Sequence, residues 1–412
     1  MAFFNGDLDD VFCATVINDS LIFTNGVDGI FKWDMSGSVA RLANADSFSA
    51  KWMLKYGERL CLFNTTESGT RRPQYVRWPV AGDPEDWTGT GSGYVDLVTV
   101  MGSDPIIRAE KLGNYVIIYG SDTIVLMEYK NDVNEPFIFS TRLTGLGLAA
   151  RRGLVNLGDS HIFQSVNGVH IYNGGRSVED VDANINSAMV DLVNPEQIGR
   201  SFMSYKNNKE VRLNFPKASA TSPNTYYLYD AKGKTWSKGA RSYTGTGEYL
   251  RKTSLVINDM TDIINSYTNL RFNDRTTLAL QPITLYGTSD GVVVYDDSST
   301  YSAAGGVAID GEFETKDFIR GERYTGEETS WMELNFEAKG NNIKVSYSLD
   351  MGKTWSDYTE YTLDSNWDTY RYDTEAWSPQ IRYRFRNNTA GESFRLRTFE
   401  LGYLGASDRS VE

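Results

Sequence analysis

His161 and His170 are the only imidazoles in this 412-residue chain, and they flank the short turn Asn167-Gly168. A zinc site needs three or four nitrogen or sulfur ligands, and neither histidine has a cysteine or a third histidine near it in sequence. The two therefore read as satisfied or solvent-facing side chains. A Ser-His-Asp triad stays open in principle, but no Gly-x-Ser-x-Gly elbow supports one. Cys13 and Cys61 lie in apolar, strand-like contexts and read as buried free thiols. The carboxylates Asp7, Asp9 and Asp10, and Asp83, Glu85 and Asp86, could offer oxygen to calcium but lack the EF-hand spacing. With no glycine-rich phosphate loop and its lysine, the chain calls for no cofactor and no metal.

The most concentrated charge is basic. Arg382, Arg384 and Arg386 alternate along one stretch, and Arg395 and Arg397 along another. Strand periodicity would project each set from one face, which makes the five a candidate subunit interface, since arginine suits ion pairs between chains. The loop holding Asp83, Glu85, Asp86 and Trp87 is rich in glycine, proline and acid, and is expected on the surface as a candidate contact loop.

Ser348, Asp350, Gly352, Thr354 and Trp355 fit the Asp-box pattern Ser-x-Asp-x-Gly-x-Thr-Trp, which resembles the hairpins of sialidases and other β-propellers. In such a box the serine and aspartate bond the turn, the glycine takes positive φ and the tryptophan covers the base. Asp230 to Trp236 is a weaker echo. The box is structural and lies away from the sialidase active site, and a glycosidase needs a carboxylate pair across the sugar bond. The expectation is a non-enzymatic protein.

A recurrent element must position these groups. An aliphatic-aromatic strand, a polar turn and a second strand ending on an aromatic recur at Leu21–Trp33, Tyr115–Tyr129, His161–Tyr172 and Leu285–Tyr295, with looser copies at Leu60–Trp78 and Val211–Tyr229. The closing aromatics are spaced from 43 residues (129 to 172) to 66 (229 to 295), near the length of a propeller blade. A helix is expected from about Asn184 to Leu192, capped by Asp182. Tyr243 to Pro282 reads as an insertion and Ser298 to Gly306 as a linker. The fold class is therefore all-β: an irregular β-propeller of about six blades over residues 1–305, then a C-terminal antiparallel β-sandwich over 306–412. A net charge of −13 argues against gripping a phosphate backbone, because that affinity comes from Lys and Arg releasing counterions. The start Met1 to Asp7 lacks the basic and apolar run of a signal peptide, so synthesis in a cytoplasm is expected.

Trp78-Pro79, Gly82-Asp83-Pro84-Glu85-Asp86-Trp87 and Gly93 to Leu97, followed by the hairpin Val166 to Tyr172, the helix, Asn194 and a strand at Ser201 to Tyr205, resemble structural proteins of tailed bacteriophages. The whole is similar to the β-propeller tail-nozzle and hub proteins of short-tailed phages, the class named for stabilising packaged DNA. That resemblance implies a virion protein assembled in a bacterial cytoplasm. It would form a homo-oligomeric ring, most often of six copies, below the portal and adaptor and beside tail fibres. Viral DNA would be retained and then pass through without specific binding. The alternatives are a glycan- or receptor-binding tip or fibre protein using exposed aromatics such as Trp87, and a sialidase-like hydrolase.

Overall fold

The computed structural model describes residues 4–7, 9–130, 132–206, 210–250, 282–295, 308–319 and 329–404. The chain divides into two compact units, Met1–Tyr295 and Asp296–Glu412. It is all-β, and among the described residues helix is confined to short segments. The expected linker at Ser298 to Gly306, and most of the expected insertion after Tyr243, lie outside the described residues.

Among the described residues, six antiparallel sheets follow one another along the first unit. Sheet 1 is β1 (Cys13–Ile17), β2 (Ser20–Thr24), β3 (Ile30–Trp33) and β4 (Ala40–Arg41). Sheet 2 is β5 (Phe48–Tyr56), β6 (Arg59–Glu67), β7 (Thr70–Trp78) and β8 (Gly93–Asp96). Sheet 3 is β9 (Ile106–Leu112), β10 (Tyr115–Gly120), β11 (Thr123–Tyr129) and β12 (Phe137–Thr144). Sheet 4 is β13 (Leu154–Asn156), β14 (His161–Ser165), β15 (Gly168–Tyr172) and β16 (Glu179–Asp180). Sheet 5 is β17 (Phe202–Lys206), β18 (Glu210–Phe215), β19 (Thr225–Asp230) and β20 (Thr235–Ala240). Sheet 6 is β21 (Gly245–Leu250), β22 (Pro282–Gly287) and β23 (Val293–Tyr295). All six recurrent hairpins are the second and third strands of successive sheets. The start of the expected insertion is therefore a strand, because Gly245–Leu250 pairs with Pro282–Gly287.

First strands are neighbours in series: β1 lies by β5, β5 by β9, β9 by β13, β13 by β17 and β17 by β21. Successive sheets pack face on face, in the order that propeller blades take. Ile22 and Ile30 meet Met53 and Leu62 between sheets 1 and 2, and Phe63 and Trp78 meet Val116 and Phe137 between sheets 2 and 3. Tyr119 meets Phe163 and Tyr172, Val169 meets Met203 and Leu213, and Phe202 meets Tyr286 at the next three junctions. Inner sheets need two apolar faces, so β6 runs Leu60-Cys61-Leu62-Phe63 without alternation, each side chain buried. Two ties link sheets that are not adjacent. Arg200, ahead of β17, donates from Nε to Asp9 Oδ1 at 2.7 Å, and Arg152, ahead of β13, donates from Nη1 to the Thr244 carbonyl at 2.9 Å. Bonds from the start of sheet 1 to the entry of sheet 5 require the series to curve.

The helix Ala183–Leu192 packs on β15. Asp182 Oδ1 accepts from the Ile185 amide at 3.1 Å, which satisfies one orphan donor of its first turn. Asn186 bonds both backbone groups of Val169, at 2.8 and 3.2 Å. Its side chain fills the space where a Cβ on Gly168 would stand, 2.3 Å from Asn186 Cγ, and Gly168 has φ 136°.

In the second unit, β24 (Gly311–Glu314), β25 (Phe318–Ile319), β27 (Asn342–Ser348), β28 (Thr359–Thr362) and β30 (Gln380–Asn387) form one sheet. A second sheet holds β26 (Thr329–Gly340), β29 (Asp368–Ser378) and β31 (Phe394–Leu404). Leu334, Phe336 and Tyr372 from one sheet share a core with Val345, Tyr383 and Phe385 from the other.

Gly168→Ala should destabilise the first unit by about 1–3 kcal/mol, through positive-φ strain and displacement of Asn186. Urea unfolding of the full chain measures this, and an unchanged midpoint would refute the close approach.

Candidate functional sites

Strand register gathers a group that sequence distance conceals. Ser165 and His170 lie diagonally across the turn on one face, and Asp180 is the cross-strand partner of His170 on β16. His170 Nδ1 lies 2.7 Å from Asp180 Oδ1, and Nε2 lies 2.7 Å from Ser165 Oγ. This is the connectivity of a serine nucleophile, its base and an orienting acid. The surroundings give it a different task. Ser165 is 1% exposed, and its Oγ also accepts the Asn167 amide at 2.9 Å. The relay closes a two-residue hairpin turn and pins β16 to it. Burial lowers the His170 pKa, against the raising effect of Asp180, whose side chain is more than half exposed and so screened by water.

His161 is a second internal tie. Its Nε2 donates to the Lys111 carbonyl at 2.8 Å, and Nδ1 accepts from the Tyr119 hydroxyl at 2.9 Å, an arrangement that suits the neutral ring. Burial lowers its pKa as well. Both thiols are buried and free, and burial raises Cys13 to about 11 and Cys61 to about 12.

The acidic run at the start of the chain is also paired. Asp10 binds Lys51 Nζ at 2.9 Å, and Asp9 binds Arg200, whose hydrogen bond holds the Asp9 carboxyl below its ordinary range. Among the described residues no cluster of His, Cys, Asp and Glu forms a metal-binding group, and no helix is long and apolar enough to cross a membrane.

Trp87 corrects an expectation. It was expected to stand exposed on its loop, yet it is 6% exposed and packs against Phe48 at 5.3 Å, in the core shared by sheets 1 and 2. The loop is folded inward around it: Trp78 Nε1 donates to the Gly91 carbonyl at 3.1 Å, and the Val80 amide to the Asp86 carbonyl at 2.9 Å. Asp83 Oδ1 accepts the Glu85 amide, Asp86 Oδ1 accepts the Thr88 and Gly89 amides, and Glu85 lies 3.5 Å from Lys32. A tryptophan that follows Asp83, Glu85 and Asp86 in a glycine-rich stretch looks exposed because the Phe48 it packs on lies about forty residues earlier.

The arginines of β30 do share one face, as alternation requires, with Ile381, Tyr383 and Phe385 buried on the other. Their charges are matched within the unit. Arg382 forks onto Asp317 at 2.9 and 2.9 Å, and Arg386 onto Asp310. Arg384 stacks over Trp355 at 4.2 Å and Tyr358 at 4.7 Å, with Glu312 at 3.8 Å. Arg397 pairs with Glu337 at 2.7 Å, while Arg395 stands exposed without an ion pair among the described residues. Sequence pattern finds the arginine face but not its acids, which come from segments up to 76 residues away.

The Asp-box turn is fully bonded. Ser348 Oγ accepts from the Gly352 amide at 2.8 Å, and Asp350 accepts from the Thr354 amide and hydroxyl at 2.8 and 2.6 Å. Those bonds hold the Asp350 carboxyl down at about 2. Gly352 has φ 85°, and Trp355 Nε1 donates to its carbonyl at 3.1 Å. In the weaker echo, Asp230 accepts from the amides of Lys232 and Gly233.

Two outcomes follow from these placements. Trp87→Ala should cost about 3–5 kcal/mol, as for a large buried aromatic, whereas a surface contact residue would change stability little; urea unfolding decides. Both histidines are buried neutral but become protonated in the unfolded chain near pH 6.5. Their contribution is therefore present above that pH and lost as pH falls through 6.5 toward their lowered folded values. Stability measured between pH 7.5 and 5.5 should decline, and a flat profile would contradict neutral burial.

No family model matches the chain, and no curated protein sequence matches it. Solved structures give distant likenesses. PorZ, a surface component of the type-IX secretion system of Porphyromonas gingivalis, is 11% identical, with 86% of this chain and 39% of PorZ covered at a TM-score of 0.36. An exo-β-1,3-galactanase from Phanerochaete chrysosporium is 8% identical over 95% of both chains, TM-score 0.30. A glycoside hydrolase is 10% identical over 94% of this chain and 96% of its own, TM-score 0.27. The chain thus spans well under half of PorZ, and likenesses this distant carry no functional argument.

Proposed function

We propose that this chain is a non-enzymatic structural subunit of a tailed-phage virion. In this reading it is a nozzle or hub protein whose copies form a ring at the tail end, below the portal and adaptor, that holds back and later passes the viral DNA. The supporting observation is the role of the segment that resembles phage tail proteins. Trp78 and Trp87 are both buried, and they anchor the loop between them to the cores on either side of sheet 2. The likeness thus rests on a framework piece that braces three consecutive sheets. The use of polar groups points the same way: the serine, histidines and acids that could do chemistry bond one another or turn backbone, which builds a stiff body. A net charge of −13 suits a conduit that DNA must leave, because like charge forgoes the counterion-release gain.

The test is cryo-EM and mass spectrometry of particles assembled in cells that express this chain. The expected result is density for a ring of copies at the tail end. Tails that are complete without the chain would overturn the proposal.

A further inference from the structure

The sheet series has two ends, and among the described residues the outer face of each is mainly apolar, with Arg41 over the Phe31 ring at 5.6 Å on sheet 1. On sheet 1, Cys13, Ile17, Ile22 and Ile30 face sheet 2. The opposite face carries Val16, Leu21 and Trp33 in cross-strand register, and Phe23 beside Phe31 with ring centroids 5.6 Å apart. Phe4 and Phe12 stack onto this face, Phe4 within 5.0 Å of Phe31, yet Phe12 remains 52% and Val16 53% exposed. On sheet 6, Tyr286 and Val294 face Phe202 of sheet 5. Its other face holds Ile283 opposite Tyr249 and Leu285 opposite Tyr295. Tyr249, Val293 and Tyr295 are 50%, 63% and 51% exposed.

At every internal junction such a face is covered by the next sheet. A serial array normally ends in a repeat with a polar outer face, since an open apolar sheet face is an association site. Here the two unfinished faces belong to one chain, and each keeps side chains that are half exposed or more, Phe12 and Val16 on one and Tyr249, Val293 and Tyr295 on the other, with both faces present in the same molecule. They are also different surfaces, so contact between copies would be head to tail, the geometry that generates a ring when its rotation closes and a filament when it does not.

We propose that the outer face of sheet 6 in one copy docks on the outer face of sheet 1 in a second copy, which continues the face-on-face stacking across the subunit boundary. This rests on the ring reading above and names its interface. Packing about 10 Å apart, as stacked sheets do, would remove Val16, Phe12, Tyr249 and Tyr295 from water together.

The test uses the full chain and its variants Val16→Glu and Tyr295→Glu, with molar mass followed by light scattering across concentration. Wild type should rise beyond dimer, and each variant alone should remain a monomer with unchanged circular dichroism. An equimolar mixture should give a dimer, because each variant keeps the face the other lacks. Multimers that persist in both variants would overturn this interface while leaving a ring built on other surfaces intact. Wild type that stays monomeric would also overturn it. So would a Val16→Cys/Tyr295→Cys chain that cross-links only within itself, since the two faces would then close on each other. Cross-links between chains support the proposal.

Discussion

Face-on-face burial between successive sheets is the constraint on which the first unit depends. A four-stranded meander has two broad faces, and in an inner sheet both must leave water. This explains why β6 and β10 are apolar without alternation, and why Phe63, Val116 and Phe163 are fully buried although they belong to three different sheets. Each such side chain contributes about 1.5–3 kcal/mol relative to exposure, so losing one junction would expose several at once. The second unit satisfies the same requirement with only two sheets. One face of each is therefore free to alternate, and Arg382, Arg384 and Arg386 occupy the free face of β30.

Once the apolar faces are committed, the polar groups left inside must find partners at close range. The Ser165–His170–Asp180 relay, the His161 tie to Tyr119 and Lys111, and the Asp350 turn meet that demand. A catalytic triad and a hairpin tie share the same hydrogen bonds, and access separates them. In this molecule the serine oxygen is enclosed by its own turn. The charges follow a parallel rule, since partly buried arginines meet partly buried acids at Arg382 with Asp317 and at Arg77 with Glu67.

The six hairpins are legible from residue types, because two aliphatic-aromatic strands on either side of a polar stretch are a local signal whose parts are close in sequence. The helix with its Asp182 cap, the positive φ at Gly352 and the alternation of β30 were legible for the same reason. Trp87 was not. Its loop has the composition of surface, and its burial depends on Phe48 and the core of sheets 1 and 2, which no nearby residue announces. The strand at Gly245–Leu250 is hidden because its two glycines and glutamate carry little strand signal, and its pairing with β22 crosses a long interval.

By itself, then, the order of residues determined the all-β class, the repeated hairpins, their turns and the two-sided character of the arginine strand, since these depend on steric and hydrophobic preferences spanning a few residues. Only the tertiary structure decided which face meets which sheet, which acid neutralises each arginine, that Ser165 and Trp87 are enclosed, and that sheets 1 and 6 end the series with open apolar faces. Those outcomes depend on register and on contacts between residues tens to hundreds of positions apart. Hydrophobicity along a strand says that a face must be buried, but the partner that buries it is chosen by packing.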